Sequence, residues 1–195
     1  PDLATLRKVA TDNNPELREN ALGILARNKD GFAQQKLIEG LKDPEKALVQ
    51  PETALQLLSY DPHADAYATA RRIISEPPSE DARREALRLL AADPKSAPVF
   101  EKLLRDKSEK REVRQLSASA LQGINPEKFQ RQARELLFDP SEYDDIQATS
   151  LTAITNFGDA EKIANDEPLL KRVESMRAGA KPKLKQGARR FLSRY

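Results

Sequence analysis

The sequence contains no cysteine and no tryptophan, and it has a single histidine and a single methionine. Without cysteine, the chain has no disulfide bonds, no thiolate metal ligands and no cysteine nucleophile. Aromatic residues make up only 5% of the chain, so we do not expect a deep aromatic-lined pocket. No apolar run approaches the length of about 18 residues that marks a transmembrane helix, so we expect no membrane insertion.

The short motifs that carry common enzyme chemistry are also missing. The sequence has no Walker A loop, no dinucleotide-binding glycine motif, no H-E-x-x-H zinc motif and no G-x-S-x-G nucleophile motif. His63 is interpreted as a turn residue before a helix, because a metal site there would need carboxylates alone. The acid pairs Asp144–Asp145 and Glu80–Asp81 precede predicted helices, where they complement the helix dipole. We therefore expect no enzymatic activity, no cofactor and no metal.

The composition is typical of a soluble helical protein with a large surface. The chain has 195 residues, of which 38% are hydrophobic and 33% are charged. This length suffices for one domain or two small ones. The chain begins with Pro-Asp-Leu rather than with Met and shows no signal-peptide pattern, so we expect it to be part of a longer protein. The cellular compartment stays open.

The charge is distributed unevenly along the chain. The net charge is +2, but residues 171–195 carry nine Lys or Arg and one acid, which leaves a charge of −6 for the preceding residues. This basic C-terminal segment has two interpretations: a polar cap that ends a repeat array, or a surface for nucleic acid, anionic lipid or an acidic protein. Aromatic residues able to stack on bases are limited to Phe191 and Tyr195, which favours the cap.

One pattern recurs six times: an apolar position, a small residue four positions later, and apolar residues seven and eight positions later. The second occurrence begins with a polar residue, Gln50. These positions share one face of a helix, and a small residue there lets a neighbouring helix approach closely. The small positions, spaced by 33, 32, 31, 33 and 38 residues, are Ala21, Ala54, Ala86, Ser117, Ser150 and Ala188.

A second set of helical segments alternates with these six, so the sequence predicts about twelve helices in six antiparallel pairs. No pair buries both of its faces alone, and we expect one domain over residues 1–195 that forms a right-handed α-solenoid. Pro51 predicts either a bent helix or a late helix start, and the stretched last step predicts an irregular sixth pair. The predicted units are 1–29, 30–61, 62–93, 94–125, 126–158 and 159–195.

Three segments carry a resemblance to a known family: "DKSEKREVRQLSASALQGI", "DNNPELRENALGIL" and "SEPPSEDARREALRLL". They resemble HEAT repeats and their shorter HEAT-like relatives, including those of phycobilin-lyase-type proteins. The resemblance implies that the residue after the first apolar position is an arginine that bridges adjacent repeats through an aspartate of the turn. The implied arginines are Arg18, Arg83 and Arg114, with Asp12 and Asp106 as partners and with Gln147 and Lys185 as weaker stand-ins.

The resemblance also implies that the second helix of each pair lines a concave face. The positions two, six and nine residues after the first apolar one then face outward, including Ser59, Ala91, Ala148 and Thr155. The binding residues that we predict there are Glu52, Gln56, Arg84, Arg88, Gln115, Ser119, Gln122 and Thr152.

This mixed-polar face, with an arginine pair at its centre, favours a scaffold that binds a peptide or protein loop with an acidic centre. One alternative is nucleic-acid binding through Arg84, Arg88 and the basic C-terminal segment. Another is a lyase-like or non-catalytic subunit of an enzyme complex. The partner itself stays unidentified.

Overall fold

The chain is built entirely from helices, without a strand, in a computed structural model that describes residues 1–195. Short single turns of 3-10 helix at Pro44–Lys46 and Pro94–Ser96 accompany the α-helices. The thirteen α-helices are α1 (Leu3–Val9), α2 (Pro15–Arg27), α3 (Gly31–Lys42), α4 (Pro51–Leu58), α5 (Ala64–Ser75), α6 (Glu80–Leu90), α7 (Ala97–Arg105), α8 (Arg111–Ile124), α9 (Pro126–Phe138), α10 (Asp144–Phe157), α11 (Ala160–Ala164), α12 (Glu167–Ala178) and α13 (Pro182–Arg194). None of them is both long enough and apolar enough to cross a membrane.

Polar side chains of the turns cap the helices that follow them. Asp30 accepts a hydrogen bond from the Ala33 amide at the start of α3, and Ser79 caps α6 in the same way. These bonds satisfy main-chain donors that a helix start leaves unpaired. His63 caps α5 through Nδ1, while its Nε2 lies 3.3 Å from the side-chain oxygen of Gln34. The interpretation of His63 as a turn residue before a helix is confirmed.

The chain divides into two compact units, residues 1–93 and residues 94–195. The division falls between the third and fourth predicted repeats. In unit 1 the helices pair as α1/α2, α3/α4 and α5/α6, and α4 contacts both α2 and α6. In unit 2 they pair as α7/α8, α9/α10 and α12/α13, and α10 contacts both α8 and α13. Within each unit, the second helices of successive pairs therefore pack in chain order.

The small residues of the repeat pattern lie where helices meet. All six are buried, and Ala86, Ser117, Ser150 and Ala188 are completely inaccessible to solvent. The two buried serine hydroxyls donate to main-chain carbonyls one turn earlier, Ser117 to Val113 and Ser150 to Ile146, each at 2.8 Å. These bonds compensate for the cost of burying a hydroxyl group, so serine replaces alanine there without an unpaired polar atom.

Two irregularities of the pattern are explained by the structure. The long last step contains an additional five-residue helix, α11, so the sixth pair is irregular as predicted. Pro51 is the first residue of α4, with Gln50 at the N-cap, so the late start is correct and the bent helix is wrong. Proline suits this position because the first amide of a helix has no intrahelical partner.

In the first repeat, two apolar positions of the pattern are not buried. Leu17 and Ile24 on α2 are 48% and 37% exposed, whereas the same pattern predicts an inward face. Ala21 and Leu25 on this helix are buried as expected. The packing of the first repeat therefore covers only part of the helix face that the pattern defines.

Arginine side chains on the first helix of a pair also bond to an aspartate at the start of the next pair. Arg7 bonds to Asp30 at 2.6 Å, and Arg134 bonds to Asp166 at 2.9 Å. In both cases the arginine holds the pKa of the aspartate below its ordinary value, although burial opposes the shift. Within unit 1, Arg71 on α5 bonds to Asp93, the last residue of that unit, at 2.6 Å.

The linker between α3 and α4 lies against α3 at Gly40. A Cβ atom on Gly40 would come within 2.9 Å of the Ala47 Cα, which is closer than two non-bonded carbon atoms approach in proteins. Any side chain at position 40 therefore displaces the linker main chain.

Replacing Gly40 by alanine is expected to destabilise the chain by about 1 kcal/mol. Alanine gains about 0.5–1 kcal/mol in a helix interior, but forcing a carbon into occupied space costs about 1–3 kcal/mol. Urea unfolding measures the difference. Gly23→Ala is the control, because its added Cβ would have only an arginine side-chain end at 3.7 Å. A more stable Gly40→Ala variant would contradict the close approach.

Candidate functional site

The predicted binding residues are accessible, and they are divided equally between the two units. Gln56, Arg88 and Ser119 are exposed, and the other five are half-buried. Thr155 was also predicted to face outward, and this is wrong: it is 2% exposed, and its hydroxyl donates to the Leu151 carbonyl at 2.8 Å.

In unit 2, the structure brings three of the predicted residues together around one cavity. The cavity has a volume of about 270 Å³ and lies on α8, α10 and α13, the second helices of three successive pairs. Gln115 and Gln122 line it from α8, and Thr152 lines it from α10. Ser119, on the same helix as the glutamines, is not among the lining residues. The other residues of the lining are Asp145, Ala148, Thr149, Lys183, Gln186, Gly187 and Arg190.

Most of the residues that line this cavity from α8 and α10 are polar and uncharged, and Asp145 is the one charged residue among them. The Gln115 Nε2 donates to the Thr149 hydroxyl at 3.1 Å, which orients the amide. The Gln115 Oε1 is buried and has no hydrogen-bond partner. The Thr152 hydroxyl donates to the Ala148 carbonyl at 3.0 Å. This side of the cavity therefore contributes amide and hydroxyl groups.

The α13 side of the cavity is basic. Lys183, Gln186 and Arg190 are three and four residues apart, so they lie on one face of the helix. Lys183 and Arg190 are exposed, and neither forms an ion pair. The single acid of the lining, Asp145, already binds the Arg111 guanidinium, with an N–O distance of 3.2 Å. The cavity therefore presents two uncompensated positive charges next to amide and hydroxyl groups.

Gly187 sets the distance between α13 and α10. A Cβ atom there would lie 3.3 Å from a methyl group of Leu151, which is tighter than most such contacts. Because glycine lacks this atom, α13 approaches α10 closely enough to share the cavity with it.

The α8 helix that lines the cavity is held to the next helix pair by a buried ion pair. Arg114 is 2% exposed and donates to both carboxylate oxygens of Glu142, at 2.7 and 2.8 Å. It also donates twice to the Leu104 carbonyl, at 3.1 and 2.8 Å. Lys107 adds a third contact to Glu142 at 2.8 Å. Burial raises the pKa of Glu142, but the bonds from Arg114 and Lys107 outweigh burial and hold that pKa below its ordinary value.

The other predicted bridging residues differ in their partners. Arg18 reaches the next pair by donating to the Leu48 carbonyl at 3.1 Å. It meets Asp12 through the main-chain carbonyl, so the predicted carboxylate contact is wrong. Gln147 is buried and donates to the carbonyls of Leu136 and Asp139, which makes it an effective stand-in.

In unit 1, the predicted arginine pair is neutralised within its own helix. Arg84 bonds to Asp81 at 2.9 Å, and Arg88 bonds to Glu85 at 2.8 Å. Both arginines of the predicted pair therefore have an acidic partner on their own helix. Acids three residues before each arginine are visible in the sequence, and they were the signal for this pairing.

The sequence pattern could have identified two further residues that line the unit 2 cavity. Gln186 and Arg190 lie two and six residues after Leu184, the first apolar position of the sixth repeat. The rule that selected the residues on α8 and α10 thus also selects these two. They were missed because the basic C-terminal segment was interpreted as a cap.

No protein-family profile matches the chain, and no curated protein matches its sequence significantly. The structure contains no group of three or more His, Asp or Glu side chains placed to hold a metal ion.

Proposed function

We propose that the chain is an interaction module, without catalytic activity of its own, that binds an acidic peptide or protein loop. The binding site is the cavity formed by α8, α10 and α13. One observation carries the proposal: Lys183 and Arg190 face this cavity without an ion-pair partner, beside the amides of Gln115 and Gln122. The partner places one or two acidic side chains there.

The size of the cavity favours side chains of a protein over a separate small molecule. A volume of about 270 Å³ lies below the range of about 300–1,000 Å³ that is typical of pockets for drug-sized ligands. An aspartate or glutamate side chain fits within it. The Arg190 guanidinium is suited to a carboxylate because its parallel N–H groups form two bonds at once.

We also propose that the helix pairs are HEAT-like repeats that stack as a right-handed α-solenoid. The support is the order of contacts inside each unit, where the second helices pack against one another in sequence. The buried small residues at constant spacing support the same arrangement, since each permits a close helix contact. The cavity would then belong to the face that the second helices share.

Nucleic-acid binding is the second candidate, and one specific observation favours it. The basic residues on and next to α13 form no ion pair; they are Lys181, Lys183, Lys185, Arg189, Arg190 and Arg194. Against this candidate, no aromatic side chain lines the cavity, and its wall includes Asp145. A phosphate backbone would engage the whole helix, whereas a carboxylate needs the cavity alone.

The test compares two probes: a glutamate-rich synthetic peptide and an oligothymidylate of similar charge. We expect Lys183→Ala with Arg190→Ala to weaken peptide binding about tenfold, because both cations face the cavity. The matched control is Lys181→Ala with Arg189→Ala, which removes the same charge from the same region outside the cavity. The control pair should change peptide affinity less than about threefold. Calorimetric titration measures the affinity of the parent chain and of both double variants for each of the two probes.

Two outcomes would overturn the acidic-peptide proposal. The first is an equal loss of peptide affinity in both double variants, which indicates attraction by net charge alone. The second is tighter binding of the oligonucleotide with a steep decline as salt increases, which indicates nucleic-acid binding.

A further inference from the structure

The first helix pair holds all the exposed large aliphatic side chains of the chain. Leu3 on α1 is 50% exposed, and Leu17 and Ile24 on α2 are 48% and 37% exposed. Every other leucine and isoleucine is buried or half-buried. Single exposed apolar residues are ordinary, but their concentration at one place indicates an interaction surface. Leu17 and Ile24 are seven residues apart, about two helical turns, so they form one apolar stripe along α2.

The corresponding side of later helices packs against another helix. In the third to sixth repeats, the residues that correspond to Leu17 and Ile24 are at most 7% exposed. In unit 2, α10 packs against α8, and α13 packs against α10. The contact side is visible at Gly187, three residues after Leu184, where a Cβ atom would lie 3.3 Å from the Leu151 side chain of α10. The stripe on α2 therefore has the character of a helix-packing surface without a helix on it.

A polar row beside this stripe carries opposite charges at its two ends. Glu16 lies in the first turn of α2, and Arg27 lies in the last turn. They are eleven residues apart, about three helical turns, so they lie on the same side of the helix. Both are exposed, and neither forms an ion pair. Asn20, which is also exposed, lies between this row and the stripe.

These positions make the surface of α2 complementary to itself. In an antiparallel pair of helices related by a two-fold axis, the same flank of each copy meets. The pair Leu17 and Ile24 and the pair Glu16 and Arg27 are both centred on the level of Ala21. One axis at that level therefore places Leu17 opposite Ile24 of the second copy, and Glu16 opposite Arg27 of the second copy. A parallel pair would bring like charges together instead.

We propose that a second copy of this chain packs on the stripe, with the two α2 helices antiparallel. Charge complementarity selects this occupant, because the acid and the base of each copy meet the base and the acid of the other. One helix from each copy buries less area than the roughly 1,200–2,000 Å² of a stable interface, so the dimer forms only at high protein concentration. This surface is separate from the cavity on α8, α10 and α13 and does not depend on the function proposed there.

Sedimentation velocity of the full chain tests the association. Between about 10 µM and 1 mM, the monomer should convert progressively to a dimer. Ile24→Glu should remain a monomer over this range, because it introduces a carboxylate at each of the two apolar contacts. Its fold should be unchanged, since Ile24 is exposed, and circular dichroism checks this.

Charge reversals test the antiparallel arrangement. Glu16→Arg and Arg27→Glu each place like charges at both contacts, and each should weaken the dimer about tenfold. An equimolar mixture of these two variants should associate like the parent chain, because every contact then joins opposite charges. A folding defect in either variant would not be repaired by mixing. The matched control is Glu19→Arg, which makes the same change on nearly the opposite side of α2 from Leu17 and should alter the affinity less than about twofold.

Four results would overturn the proposal. A monomer at every concentration means that something other than a second copy covers the stripe, such as a helix of another protein. A dimer that persists in Ile24→Glu means that the copies meet through a different surface. Equal weakening by Glu19→Arg indicates an effect of net charge alone. A mixture that associates no better than its two components excludes the antiparallel pairing of Glu16 with Arg27.

Discussion

Replacing Arg114 by alanine is expected to lower the free energy of unfolding by about 3–5 kcal/mol. The substitution leaves the Glu142 carboxylate buried, with only Lys107 as a cationic partner. It also removes both bonds to the Leu104 carbonyl. Breaking a buried pair from one side is far more costly than losing an exposed pair, because the remaining charge stays in a poorly solvated site. Urea or guanidinium unfolding measures the loss.

Two comparison variants identify the cause. Arg111→Ala, on the same helix, removes exposed bonds to Asp144 and Asp145 and should destabilise the chain much less than Arg114→Ala. The double variant Arg114→Met with Glu142→Leu removes both charges and should be more stable than Arg114→Ala alone. Equal stabilities of Arg114→Ala and Arg111→Ala would contradict the buried pair.

The same carboxyl group predicts how stability changes with pH. The pKa of Glu142 is lower in the folded chain than in the unfolded chain, so the unfolded chain takes up more protons in acid. The stabilising contribution is therefore complete above the ordinary glutamate pKa, about 4, and is lost as the pH falls below it. Between pH 5 and pH 3, the free energy of unfolding should decrease less for Arg114→Ala than for the parent chain. A steeper loss in the variant would contradict this assignment.

Leucine at position 117 is expected to destabilise the chain by about 1–3 kcal/mol. Ser117 is completely inaccessible, and it lies on α8, which packs against α7, α9 and α10. The larger side chain must displace a neighbouring helix or adopt a strained rotamer, and overpacking of this kind costs about that much. Ala86→Leu on α6 should behave similarly, since Ala86 is equally buried.

Ser119→Leu is the matched control, because Ser119 is exposed on the same helix only two residues away. Its effect should stay within about 0.5 kcal/mol, as is usual for surface substitutions. The melting temperatures of the three variants test the repeat pattern directly. If Ser117→Leu and Ala86→Leu melt like the parent chain, the small positions are not close-contact sites.

The sequence predicted well what depends on residues within one helix and its flanking turns. Helix positions followed from apolar spacing, and the cap at His63 followed from its place in a turn before a predicted helix. The burial of Ser117 and Ala86 followed from the repeat, because the same position recurs at nearly constant spacing. These features arise from interactions a few residues apart, and such interactions leave a direct trace in the order of residues.

The candidate site on α8, α10 and α13 was only partly predictable. The outward positions on α8 and α10 were correct for Gln115, Gln122 and Thr152, whereas Thr155 turned out to be buried. A periodicity selects the side of a helix, but it does not show how much of that side the next helix covers. Arg190 also lines the cavity, but it was not predicted because the basic charge of its helix, α13, indicated a cap.

By itself, the sequence determined an all-helical chain, its paired helices, their caps and the small residues at which they meet. Only the tertiary structure decided which partners lie across those contacts: Glu142 for Arg114, and main-chain carbonyls for Arg18. It also decided where cations without an ion-pair partner gather, in the cavity on α8, α10 and α13. The physical reason is distance along the chain. Arg114 and Glu142 are 28 residues apart. Several acids of the neighbouring turns could meet the arginine, and only the packing of one helix pair on the next selects one of them.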